Sequence, residues 1–218
     1  MIPQVFALLF AAFLAAGASA QSEIPEITTR AAALKALEHA DVRYRVAGID
    51  YIGRTGLAAD GPLLVKLLSD PNPYVRGLAE EAVWRVWSRS GDADIDRTLA
   101  AGVEHMEAGR YPQAIESFSR VIERKPSFAE GWNKRATAWF LAGEMRKSLA
   151  DCDEVMKRNP QHFGALSGYG QIYIHLEEYE KAIEYFRRAV EVNPNLTGLD
   201  TVIRRLEELV RERRRRII

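Results

Sequence analysis

Residues 163–196 read FGALSGYGQIYIHLEEYEKAIEYFRRAVEVNPNL, and this stretch decides the fold because the chain carries it three times at a period of 34 with no insertion. Counted from Phe163, the residues Tyr169, Gly170, Tyr173, Tyr179, Ala182, Phe186, Ala189 and Pro194 stand at positions 7, 8, 11, 17, 20, 24, 27 and 32. One period earlier, in residues 129–162, Trp132, Ala136, Trp139, Gly143, Val155 and Pro160 fall at 4, 8, 11, 15, 27 and 32. In residues 95–128, Gly102, Gly109, Tyr111, Ala114, Phe118, Val121 and Pro126 fall at 8, 15, 17, 20, 24, 27 and 32.

Positions 4, 7, 8 and 11 share one helical stripe and 17, 20, 24 and 27 another, so each copy is two amphipathic helices joined by a short turn. Small residues at 8 and 20 let the paired backbones approach, and the aromatics fill the space around that contact. Asn159-Pro160 and Asn193-Pro194 end the second helices: Asn is expected in the left-handed conformation there, and the following Pro cannot continue the helix. One copy cannot bury its own apolar face, so the three stack into a common core. The second copy has Met145, Ser148 and Cys152 at positions 17, 20 and 24, which predicts a thinner core. Cys152 is the only cysteine and sits on the inward stripe, so it reads as a buried thiol rather than a nucleophile.

This period, with small residues at 8 and 20, aromatics near 4, 11, 17 and 24 and Pro at 32, resembles the tetratricopeptide repeat family. The resemblance implies an all-α, right-handed helical-hairpin solenoid that presents a concave groove and acts without catalysis. In that family positions 2, 5, 9, 12 and 13 of the first helices line the groove. Here those positions hold Asp96, Leu99, Val103, Met106 and Glu107, then Glu130, Asn133, Thr137, Phe140 and Leu141, then Gly164, Ser167, Gln171, Ile174 and His175. Of these, Leu99, Val103, Met106, Asn133, Thr137, Phe140, Ser167, Gln171 and Ile174 are the candidate partner-binding residues: apolar anchors interleaved with amides and hydroxyls that suit a protein or peptide ligand. The carboxylate clamp of chaperone-binding members needs Lys, Asn, Asn, Lys and Arg where this chain has Leu99, Val103, Lys134, Gly164 and Gly168, so the clamp is absent.

Outside the repeats, Leu199, Val202, Ile203, Leu206, Leu209 and Val210 recur at helical spacing, which predicts a capping helix over 197–216. Its end carries Arg211, Arg213, Arg214, Arg215 and Arg216. Arginines at a helix C-terminus are favoured by the helix dipole; the alternative is a membrane-associated accessory or regulatory subunit attached peripherally through Arg213, Arg214, Arg215 and Arg216. At the other end, the apolar run Val5–Ala16 followed by Ala18-Ser19-Ala20 reads as a signal peptide over residues 1–20, cleaved near Ala20, with a periplasmic or secreted product; the alternative is a retained membrane anchor, against which the run falls short of the roughly 20 residues a spanning helix needs.

Residues 24–90 show a second pattern. Asp41-Val42-Arg43 recurs as Tyr74-Val75-Arg76, and the segment from Leu64 through Asp70-Pro71-Asn72-Pro73 to Arg76 resembles a HEAT repeat. Asn72 is placed to cap a helix with Pro73 at its first position. Val75, Ala79, Ala82, Val83 and Val86 form one stripe, while Trp84 and Trp87 lie off it, so a second face needs a cover. The expected cover is the first helix of the first tetratricopeptide-like copy, giving one continuous superhelix.

Chemistry is thin. The four histidines, His39, His105, His162 and His175, show no metal-ligand spacing and read as surface or groove residues. Neither Gly164-Ala165-Leu166-Ser167-Gly168 nor Gly168-Tyr169-Gly170 has the strand context of a nucleophile elbow or a dinucleotide loop. No cofactor, metal or catalytic residue is assigned. With 30 basic against 30 acidic residues and no aromatic-interleaved basic face, nucleic acid is not an expected partner.

Overall fold

The structure, a computed structural model, describes residues 24–217, with side chains to residue 215; the proposed signal peptide lies outside the described residues. The described residues fold into helices without strands. An N-terminal unit comprises α1 (Arg30–Leu37), α2 (Val42–Thr55), the short α3 (Gly61–Val65) between two 3-10 turns, and α4 (Pro73–Trp87). Three hairpins follow: α5 (Ala93–Glu107) with α6 (Tyr111–Arg124), α7 (Ala129–Leu141) with α8 (Met145–Arg158), and α9 (Phe163–His175) with α10 (Tyr179–Val192). Helix α11 (Leu199–Ile217) closes the stack against α10. Among the described residues no helix is long and apolar enough to cross a membrane.

In the first and third hairpins the glycine at position 8 faces an aromatic ring so closely that a side chain would not fit. A methyl on Gly102 would run into the ring of Phe118, and one on Gly170 into the ring of Phe186. Both rings, at position 24, are fully buried. Position 15, in the turn between the helices, needs a left-handed backbone: Gly109 has φ 72° and Gly143 φ 82°. The third hairpin meets the same requirement with Glu177 at φ 57°, against the steric preference of an L-residue.

The second hairpin replaces lost apolar volume with satisfied polar ties. Ser148 donates to the Ala136 carbonyl at 2.7 Å. Arg135 grips both Asp151 oxygens at 2.8 Å and donates to Ser119 Oγ at 3.0 Å. Cys152 is buried, and burial pushes its thiol up to about 12, so it stays protonated.

Two expectations are corrected. Asn159 (φ −141°, ψ 88°) and Asn193 (φ −127°, ψ 94°) are extended, not left-handed. The residue before a proline is sterically driven there, and Lys125 before Pro126 does the same without being Asn. The amides contribute instead by accepting the backbone N–H two residues on, at 3.2 Å from Gln161 and 3.0 Å from Asn195.

The second correction concerns Trp84 and Trp87. Their cover is not α5 but the start of α9: Trp84 meets Phe163 edge-on at 5.0 Å, and Trp87 stacks on His162. The N-terminal unit therefore does not continue the stack as another layer. It lies along the edge where each second helix hands over to the next first helix. The Asn195 amide donates to the Leu68 carbonyl at 2.8 Å and its oxygen accepts from Arg76 at 2.9 Å. Lys125 donates to the Ser90 carbonyl, and Val192 and Leu196 pack on the same core as Val75 and Val83.

Candidate groove and its walled edge

The first helices α5, α7 and α9 line one face of the stack, and the position along each helix decides what is open. At position 2 the N-terminal unit reaches a partner of the second repeat and the third repeat itself, while in the first repeat the tie comes from the linker between α4 and α5. The backbone N–H of Ser90 donates to Asp96 at 2.7 Å. Glu130 is tied to His162, which lies under Trp87. Over Gly164, a methyl would come within 2.6 Å of the Trp84 ring.

Glu130 and His162 form the polar centre of this edge, and sequence reasoning missed both. His162, expected at the surface or in the groove, is fully buried. The first turn of α9 requires it there: its Nδ1 accepts from the Ala165 N–H at 3.0 Å, capping the helix. That fixes Nε2 as the protonated nitrogen, which donates to Glu130 at 3.0 Å. The Glu130 carboxylate also accepts from Asn133 at 3.2 Å and pairs with Lys134 at 3.2 Å. Burial alone would raise the Glu130 carboxyl, but the hydrogen bond from His162 and the charge of Lys134 outweigh it and hold the group below the usual range. Beside this pair lies a cavity of about 330 Å3, lined by Ala58, Pro62, Trp87, Arg158 and His162 among others.

The predicted groove residues divide by depth. Leu99, at position 5, is withdrawn into the first-hairpin core with Ile95 and Phe118. Asn133 is buried on Glu130, and Ser167 is half-buried. Positions 9 and 12 are open: Thr137 and Gln171 are exposed, and Val103, Met106, Phe140 and Ile174 are half-buried. At position 13, Leu141 and His175 are exposed, and the His175 ring meets Phe140 edge-on at 5.0 Å. A small cleft brings Asn133, Thr137, Phe140 and Gln171 together around Gly168, with Cys152 among its lining residues. Val103 and Met106 pack with the first-hairpin core and Ile174 with the core beneath α11, so these three flank the cleft without lining it.

Family models for the tetratricopeptide repeat match residues 99–161 and 165–196. A TPR repeat-containing protein of Rhizobium etli is 34% identical over 108 residues, covering 50% of this chain and 53% of that protein. Hsp70-Hsp90 organizing protein 1 of Glycine max is 27% identical over 115 residues, 53% of this chain and 20% of that protein. The chain thus spans about half the length of the first relative and a fifth of the second. Among solved structures, the Sgt2 TPR domain from Aspergillus fumigatus superposes with a TM-score of 0.54 at 19% identity, over 57% of this chain and 83% of that one. The first TPR of Spaghetti (RPAP3), bound to an HSP90 peptide, does so with a TM-score of 0.52 at 21% identity, over 55% of this chain and 95% of that one. Residues 99–161 and 165–196 match tetratricopeptide repeat models, and the chain stacks three helical hairpins between an N-terminal helical unit and a closing helix.

Proposed function

We propose that this chain is a non-catalytic protein-interaction module that binds a peptide segment of a partner in the groove of α5, α7 and α9. The observation that carries the reading is the open strip at positions 9 to 13, where Phe140, Ile174 and Met106 offer apolar surface beside the free amide of Gln171 and the hydroxyl of Thr137. Apolar anchors among backbone-binding polar groups are what peptide recognition requires. The similar RPAP3 domain was solved with an HSP90 peptide, which supports a peptide as the ligand class. This chain lacks the basic and amide side chains of the carboxylate clamp, so its ligand is held by side-chain burial rather than by a terminal carboxylate.

On this reading residues 24–90 are HEAT-like hairpins that support the groove, and the module works in the periplasm or outside the cell, as the Ala18-Ser19-Ala20 leader pattern implies. Attachment to a membrane through the arginine tail has less support: Arg213 lies beside Glu177 and Arg214 beside Glu180. Affinity capture from envelope or secreted extract, with Phe140→Glu alongside the parent, tests the proposal. A partner retained by the parent and lost by the variant supports the groove. Identical captures on both baits move binding elsewhere.

A further inference from the structure

In the first and third hairpins an aromatic ring at position 24 fills the space over the glycine at position 8, Phe118 over Gly102 and Phe186 over Gly170. The second hairpin has Cys152 at position 24, and the Ala136 methyl at position 8 restores only part of the lost volume. On the neighbouring helix α9, Gly168 fills none of it: a methyl there would meet only Cys152 Sγ, at 3.8 Å. The result is a cleft of about 40 Å3 between α7 and α9, with the exposed Thr137 and Gln171 at its mouth and the buried Cys152 at its floor.

None of the residues lining the cleft carries a charge. Its deeper polar groups are spent within the fold: Ser148 donates to the Ala136 carbonyl at 2.7 Å, and Cys152 keeps its proton. At the rim Thr137 donates to the Asn133 carbonyl at 3.0 Å. One acceptor is left over. Asn133 is 8% exposed, and because a carboxylate can only accept, its amide nitrogen faces Glu130 at 3.2 Å. The side-chain oxygen has no partner among the described residues, and covering it without supplying a donor would be costly. A space of about 40 Å3 has room for about three groups the size of a water molecule. A Val side chain fits that space and an aromatic ring does not.

We infer that this cleft is the anchor pocket of the groove: it takes one small aliphatic side chain of the bound peptide, of the size of Val, while the Asn133 oxygen accepts an N–H of the ligand. This rests on the groove reading above and deepens it. Gly168 and Cys152 are the specificity-determining residues, since a larger side chain at either one closes the cleft.

The test selects a random dodecapeptide display library on the full chain and on Phe140→Glu. The strongest binder is then synthesised with Val, Gly, Phe or Asp at its shared small aliphatic position. Each version is titrated by anisotropy against the parent, Gly168→Val and Cys152→Phe. The parent should prefer Val to Gly, Phe and Asp by at least about tenfold. Gly168→Val, which fills the cleft from α9, should bring the Val-to-Gly ratio close to one. Cys152→Phe fills it from the floor and should do the same. If neither variant folds, the peptide series on the parent decides. Binders that share no small aliphatic residue, a parent that prefers Phe or Asp, or a ratio unchanged in both variants overturns the pocket. Where Phe140→Glu still abolishes binding in those cases, the groove reading stands without it. Binders that ignore Phe140→Glu, or no enrichment at all, remove the groove reading and the pocket together.

Discussion

The indole of Trp87 lies flat on the imidazole of His162, with ring centroids 4.4 Å apart and planes 18° apart, and the Nε2–H of that imidazole donates a hydrogen bond to Glu130 at 3.0 Å. One side chain thus joins the N-terminal unit, the second repeat and the third. His162→Ala removes the stack and the α9 cap, and it strips a hydrogen bond from a buried carboxylate. Breaking one partner of a buried pair costs about 3–5 kcal/mol. Urea denaturation should show a loss of that size, and a loss under 1 kcal/mol would mean the three-way junction is not holding the fold.

Acid should act on the same junction. The Glu130 carboxyl is held below its ordinary range, so its contribution is fully present above the unfolded value of about 4.3 and is lost as pH falls through the folded value. Melting temperatures recorded from pH 6 down to pH 3 should fall more steeply for the parent than for Glu130→Gln, which has no proton to gain. Parallel curves would contradict the assignment.

Glycines of one helix should respond in opposite directions. Gly170→Ala drives a methyl into Phe186 and should cost about 1–3 kcal/mol, as should Gly102→Ala against Phe118. Gly168→Ala meets only Cys152 Sγ at 3.8 Å and gains helix propensity, so it should stabilise by up to about 1 kcal/mol. Thermal melts of the three variants decide this directly; destabilisation by Gly168→Ala would show that the fold itself requires the glycine.

Glu177 pays the left-handed penalty that Gly109 and Gly143 avoid. Its exposed neighbour Arg213 offsets little of that. Glu177→Gly should therefore stabilise by about 1 kcal/mol, equivalent to about 2–4 °C in melting temperature for a chain of this size. An unchanged or lower melting temperature would show that the turn gains more from its glutamate than the backbone loses.

The repeats were legible because their determinants are local in the chain. The 34-residue period places Phe118, Phe186, Gly102 and Gly170 in pairs within one hairpin, and structure and family models agree with that reading. The stripe from Val75 to Val86 and the cap at Asn72 were legible for the same reason. The location of the N-terminal unit was not. Trp84 and Trp87 announced an uncovered face, but the chain between Trp87 and α5 does not specify which repeat lies across it, and the partners stand about 75 residues away at His162 and Phe163. The Asn-Pro conformations were misread because the proline's restriction on the preceding residue outweighs asparagine's tolerance of a positive φ. The one available sign of the buried pair was an acidic residue at position 2 and a histidine at position 34 of the same repeat, ends that a solenoid brings together.

The central claim is that a peptide lies along positions 9 to 13 of the three first helices. Amide hydrogen exchange of the chain, free and saturated with a peptide taken from a captured partner, tests it most directly. The account predicts slowed exchange in α7 and α9 near Phe140 and Ile174 and at the end of α5 near Met106, with α4 unchanged. Protection confined to the cavity around Ala58, Pro62 and Arg158, or to α11, would contradict it.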